Sequence, residues 1–216
     1  MMARIRTVAG AAALAASLAA CSLDIGGGPP PDLYTLSPKS TFANELPKVD
    51  WQLVVEEPSA AKGIDTDRIA IAPTPLEVKY FPSSRWADRA PRMVQALMIQ
   101  SFENTKRIVS VGRQSLGLRS DFVLKTELRE FQAEKNADGT TIVRVRVNLK
   151  LVRPSLGQIV TSQSFESVKP AASEGVPDIV AAFDEALGAV LKRAVGWTLV
   201  EGEKAKPPKD SRDKDG

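Results

Sequence analysis

Between residues 143 and 151 the chain alternates without a break. Val143, Val145, Val147, Leu149 and Leu151 are apolar, while Arg144, Arg146, Asn148 and Lys150 between them are polar. A period of two sends successive side chains to opposite faces, so this run predicts a strand over 140–152 with one dry face and one wet face. The preceding run, Phe122 to Phe131, alternates less cleanly, with Phe122, Leu124 and Leu128 on one side. Asp138-Gly139 between the two runs is a hairpin turn signal. A third run, Ile159 to Val168, follows through Pro154 to Gln158, which contains Gly157. The three form a meander whose wet face is rich in Arg and Lys, a composition that also discourages edge pairing.

Two segments change period. Ala90, Val94, Leu97, Met98, Ser101 and Phe102 follow the spacing of one helix face, with Asp88 as N-cap and Pro91 tolerated in the first turn. From about Pro177 to Val195, Ile179, Phe183, Leu187, Val190, Leu191 and Ala194 make a second apolar stripe. Shorter apolar runs read as strands: Leu33 to Leu36, Trp51 to Glu56, Arg68 to Ala72 and Ile108 to Val111, with Val78 to Phe81 as an edge strand before Pro82. Residues 39–50 are polar and rich in turn formers. The order of elements predicts an α+β fold, a mostly antiparallel sheet with two helices packed on one face, in a single domain over residues 32–200.

The N-terminus does not fit this pattern. Arg4 and Arg6 precede an apolar, Ala-rich stretch from Val8 to Leu18. It is too short for a bilayer, which needs ~20 apolar residues, and reads as a signal peptide over residues 1–20. It ends in Leu18-Ala19-Ala20-Cys21, a bacterial lipobox in which the thiol after the cleavage point becomes a thioether to diacylglycerol. Cys21 is the only cysteine in the chain, as an oxidising compartment favours. Residues 21–31, ending in GGGPPP, form a short flexible tether. At the other end, residues 201–216 are charged, Pro-containing and almost devoid of apolar side chains, which predicts a disordered tail.

Composition then narrows the chemistry. The formal charge is +3, and removal of Arg4 and Arg6 with the leader lowers it by two, so nothing calls for nucleic acid. The chain has no histidine, which removes the commonest general base and transition-metal ligand. No phosphate-cradling glycine loop or nucleophile elbow is present. Glu56-Glu57 and Asp65-Thr66-Asp67 lack the ligand spacing of a calcium loop. The reading is a non-enzyme without catalytic residues, metal or cofactor. Tyr80, Phe81, Arg85 and Trp86 share one connecting segment, and these residue types concentrate at interface hot spots. They are candidates for partner contact, although Phe81 and Trp86 suit equally the seating of the first helix on the sheet.

These segments also carry a family likeness. LYTLSP soon after the lipobox, then LVVEEPSAAKGIDTDRIAIAP, then YFPSSRWADRAPRMVQALMIQSFE, resemble the ABC-type transport auxiliary lipoproteins, the PqiC-like group. The strongest match is Ile64 to Ile69 followed by Arg85 to Asp88, and the likeness spans residues 32–197. The resemblance implies a periplasm-facing domain similar to the N-terminal domain of TolB. It further implies an accessory role beside an MCE-domain protein and an ABC permease and ATPase complex, docking that apparatus to the outer membrane to assist movement of phospholipid. Only Cys21 maps to a family role. Ser22 after it is compatible with outer-membrane delivery, with the inner membrane as the alternative. A lipid-binding carrier and a structural envelope lipoprotein remain as other readings.

Overall fold

Phe122–Lys135 is the strand on which the others assemble, and its fourteen residues are dry on one side and wet on the other. The computed structural model describes residues 29–42, 45–114 and 120–206. The chain divides into Met1–Pro30 and Pro31–Gly216, and the fold below is that of the second unit. The leader, Cys21 and most of the tether lie outside the described residues, as do residues 207–216 of the tail. In chain order the elements are β1 (Asp32–Tyr34), β2 (Val49–Val55), β3 (Ser59–Ala60), β4 (Arg68–Thr74), β5 (Glu77–Trp86), α1 (Ala90–Thr105), β6 (Ile108–Gly112), β7 (Phe122–Lys135), β8 (Thr141–Arg153), a 3-10 turn (Pro154–Leu156), β9 (Gln158–Pro170) and α2 (Val176–Ala205).

One edge of β7 pairs antiparallel with β8 along its whole length, and β8 pairs antiparallel with β9. This is the predicted meander. The β7–β8 turn is closed by Gly139 at φ 85°. The Thr140 hydroxyl and amide donate to Asp138 and hold its carboxyl below the usual carboxylate range. The other edge of β7 is shared by three parallel partners: β2 at Leu53 to Val55, β3 at Ser59 and Ala60, and β4 at Ile71 and Ala72. The nine-stranded sheet therefore branches. β6 lies beyond β2, and β5 then β1 lie beyond β4. Its long ladders are antiparallel and its short joins parallel.

A bulge explains the uneven alternation of β7. Leu128 pairs with Val147 and Glu130 with Arg146, which leaves Arg129 as the extra residue. An inserted residue reverses the parity of everything after it. Phe131 and Ala133 thus rejoin Phe122, Leu124 and Leu128 on the dry side. Both helices cover that side, α1 over β2 and β6 and α2 over β8 and β9. The interior holds Trp51, Leu53 and Val145 against Phe102, Phe183 and Leu187.

Three details differ from the sequence-based expectation. First, Arg89 and not Asp88 is the N-cap of α1, with no side-chain cap bond. The Thr66 carbonyl accepts from the Ala90 amide instead, while Asp88 accepts from the Arg89 amide and pairs with Arg92. A tertiary partner satisfies the amide that a cap would otherwise serve. Second, β5 does not stop at Phe81 but continues through Pro82 to Trp86. β1 covers its outer edge only at Ser84 to Trp86, so Pro82 sits where no partner needs its missing N–H.

Third, α2 runs to Ala205, beyond both the expected helix end and the expected start of the tail at residue 201. Thr198, Leu199 and Gly202 are buried, the Trp51 indole donates to Glu203, and Arg153 donates to the Ala205 carbonyl. The close approach depends on Gly202, where an added Cβ would stand 2.5 Å from Trp51 Cζ2. Helix propensity alone favours Gly→Ala by ~1 kcal/mol. Here Gly202→Ala is expected to destabilise the domain by about 1–2 kcal/mol through overpacking, measured by urea unfolding. A stabilised variant would show that Trp51 moves aside freely.

Candidate partner-contact surface

The two segments with the strongest family likeness are far apart in sequence and bonded together in space. The Trp86 amide donates to the Asp67 carbonyl at 2.7 Å, and the Ala87 amide to the Tyr34 carbonyl at 2.7 Å. With the Ala90 amide on the Thr66 carbonyl, these bonds tie the start of β4, the end of β5, β1 and the start of α1 into one clasp. Charges reinforce it. Arg85 Nη1 donates to both Asp67 oxygens, at 3.0 and 3.2 Å. Arg89 donates to Asp65 and, at 3.2 Å, to Glu57. The hydrogen bond to Asp65, and then its charge, raise the Arg89 pKa further above its ordinary value. Fixed, paired charges of this kind position backbone; they do not offer a free acid, base or nucleophile.

The four candidate residues separate here. Trp86 is 2% exposed and packs against Phe131 at 5.6 Å and Phe183 at 5.1 Å between ring centroids. It seats the helix layer on the sheet and cannot meet a partner. Phe81 is half-buried against the same core. Tyr80 is half-buried too, its hydroxyl donating to the Gly63 carbonyl at 3.1 Å and its ring beneath the Arg68 guanidinium at 3.8 Å. Arg85 remains accessible, with 41% of its side chain exposed despite the pair with Asp67. The exposed large apolar side chains among the described residues include Leu76, fully exposed, and Val78, half-exposed, in or beside the β4–β5 turn, with Leu33, Val109, Leu156, Ile159 and Val168 elsewhere on the surface.

The wet face of the meander is electrically matched. Arg144 bonds Glu134 at 3.0 Å and also reaches Glu166 and Glu130, while Arg146 bonds Glu130. The bond to Glu134 leads the effects that push the Arg144 pKa above its ordinary value. The basic face foreseen from the sequence is therefore neutralised by carboxylates from β7 and β9. Arg144→Ala leaves three carboxylates without their common cation. It is expected to cost about 1–3 kcal/mol at pH 7 in urea unfolding. The cost should shrink at about 1 M salt, which screens the ion pairs. An equal cost at low and high salt would mean that packing, not charge, is what Arg144 contributes.

Beside the clasp, an open hollow of about 240 Å³ is lined largely by apolar side chains, among them Leu36, Ala87, Met93, Ala96 and Leu97, and two further hollows are polar. One of about 280 Å³ is lined by Glu56, Glu57, Arg92, Gln95, Arg113 and Gln114. Buried Gln95 donates to the Val55 carbonyl and accepts from Arg113. The other, of about 510 Å³, lies between the segment from Ser37 to Ser40 and α2. Polar and charged side chains dominate both. Among the described residues no group of His, Cys, Asp or Glu is arranged to hold a metal, and no helix is long and apolar enough to cross a membrane.

A family described as the ABC-type transport auxiliary lipoprotein component matches residues 34–195. An uncharacterised protein of Bradyrhizobium diazoefficiens is 31% identical over 183 residues, 81% of this chain. The chain spans about half of that relative's length, 47%. A crystal structure from Xanthomonas campestris, described as DUF330, superposes with a TM-score of 0.76 at 32% identity, over 80% of this chain and 97% of the other. A second crystal structure, of an uncharacterised protein, reaches a TM-score of 0.55 at 13% identity over 82% of this chain and 100% of the other, a likeness of fold alone.

Proposed function

We propose, from the premise that the chain belongs to the ABC-type transport auxiliary lipoprotein family, that it is a non-catalytic accessory tethered through acylated Cys21. In this reading its periplasm-facing domain docks an MCE-type lipid ABC transport system to the outer membrane. The observation that carries the reading is the family match over residues 34–195, which begins thirteen residues after the lone cysteine of a lipobox. Two or more acyl chains hold a protein on a membrane where one does so only marginally. The tether would then keep the domain within a few tens of ångströms of that membrane. The ion pairs of the clasp and of the wet face support a role in contact over one in catalysis, because each arginine is already matched to carboxylates.

A carrier of single lipids needs an enclosed apolar hollow of some hundreds of Å³. The space between sheet and helices is instead filled by Trp51, Phe102, Phe122, Phe131 and Phe183, which favours the docking role. The test is crosslinking in intact cells at native expression, followed by identification of captured proteins. An MCE-domain subunit, its permease or its ATPase is the expected catch. Capture of peptidoglycan-bound or assembly proteins alone would overturn the reading.

A further inference from the structure

We infer that the β4–β5 turn, Pro73 to Val78, rests in the surface of the bilayer that holds the Cys21 lipid. The inference rests on the anchoring proposed above. A lone exposed leucine carries little information, but this turn is more than that. It is a two-residue loop, Pro75-Leu76, closed by the pairing of Thr74 with Glu77. Leu76 is fully exposed and Val78 half-exposed. Pro73 and Pro75 flank the tip, and no charged residue occurs from Ile69 to Leu76. Turn positions ordinarily take polar or small residues. The apolar tip, Pro73 to Leu76, is followed at once by Glu77, which pairs with Lys79 at 2.7 Å, and such a tip suits shallow insertion with the ion pair at the level of the headgroups.

Strand direction puts the tip on the anchored side. β1 runs parallel to β5, with Asp32 opposite Ser84 and Tyr34 opposite Trp86. The N-terminal end of β1, where the chain enters the sheet, therefore points along β5 toward Leu76. Ser84 and Leu76 are eight residues apart, about 26 Å at ~3.3 Å per residue. Eleven residues separate Cys21 from Asp32 and can reach at most ~40 Å. The tether thus lets the tip touch the bilayer and is too short to hold the domain far from it. The neighbouring β7–β8 turn lies toward the same end, since β4 and β7 are parallel at Ile71 and Ala133. Its Asn136, Asp138 and Thr140 are side chains suited to the headgroup layer.

The full-length lipidated protein tests this directly, because acylation of Cys21 leaves a newly introduced cysteine as the sole free thiol. Leu76→Cys would be labelled with an environment-sensitive fluorophore. Leu156→Cys would be labelled alike, Leu156 being 63% exposed and lying just past the β8 residues that pair with the start of β7, the opposite end of the meander. Both are reconstituted in phosphatidylethanolamine–phosphatidylglycerol vesicles containing doxyl-labelled lipid. The expected result is quenching at position 76 roughly threefold stronger than at 156, as for a shallowly inserted group. Flotation with the vesicles but equal quenching at the two positions would overturn the tip contact and leave the anchor standing. Failure to float would overturn the anchor and the contact together.

Discussion

Trp86→Ala is expected to remove about 3–5 kcal/mol of stability, a large fraction of the 5–15 kcal/mol by which a domain is ordinarily stable. The indole lies among Phe131 of β7 and Phe183 of α2, which are themselves 4.9 Å apart. It stands at the last residue of β5, next to the clasp that joins β1, β4 and α1. Truncation would open a cavity where sheet, helix layer and clasp converge, and aromatic rings on the two other sides cannot collapse to fill it. Guanidinium unfolding of the purified domain should show an earlier midpoint at an unchanged slope, and Trp86→Phe should lose far less. A cost below about 1 kcal/mol for the alanine variant would mean that the site relaxes, contrary to the close packing of protein interiors.

The second large effect concerns place and not folding. Cys21→Ser removes the sulfur on which the thioether would form. Two or more acyl chains hold a protein stably on a membrane, whereas no helix among the described residues is long and apolar enough to cross one. Cell fractionation with high-salt washing is therefore expected to show membrane retention of the acylated protein and no comparable retention of the variant's folded domain. Circular dichroism should be unaltered. Retention of a folded, unacylated domain from which the leader has been removed would mean that protein contacts hold it there.

Periodicity reported some of this fold plainly and was silent on other parts for physical reasons. β8 was legible because every position from Val143 to Leu151 obeys one period. β7 was harder, because the extra Arg129 shifts Phe131 onto the parity of its polar neighbours. The end of α2 was within reach: Val195, Thr198, Leu199 and Gly202 keep helical spacing, but a threonine and a glycine do not register as an apolar stripe. Gly202 is covered by Trp51, whose indole also donates to Glu203, 152 positions later in the chain. Parallel joins of two or three residues, as between β3 and β7, leave no periodic trace at all. At the candidate surface, residue type drew attention to Trp86, and burial removed it. The pairs Asp67–Arg85 and Asp65–Arg89 were not visible as pairs, since nothing local links positions 18 and 24 residues apart.

Membership in a lipoprotein family and the lipobox at Cys21 make the same demand on the mature N-terminus. Mass spectrometry of the N-terminal peptide, from protein extracted out of envelopes with detergent, is the decisive measurement. The expected peptide begins at Cys21 and carries the added mass of a diacylglyceryl group and a further acyl chain. A peptide beginning at Met1, or one spanning Cys21 with an unmodified thiol, would contradict the membrane tether and the docking role built on it.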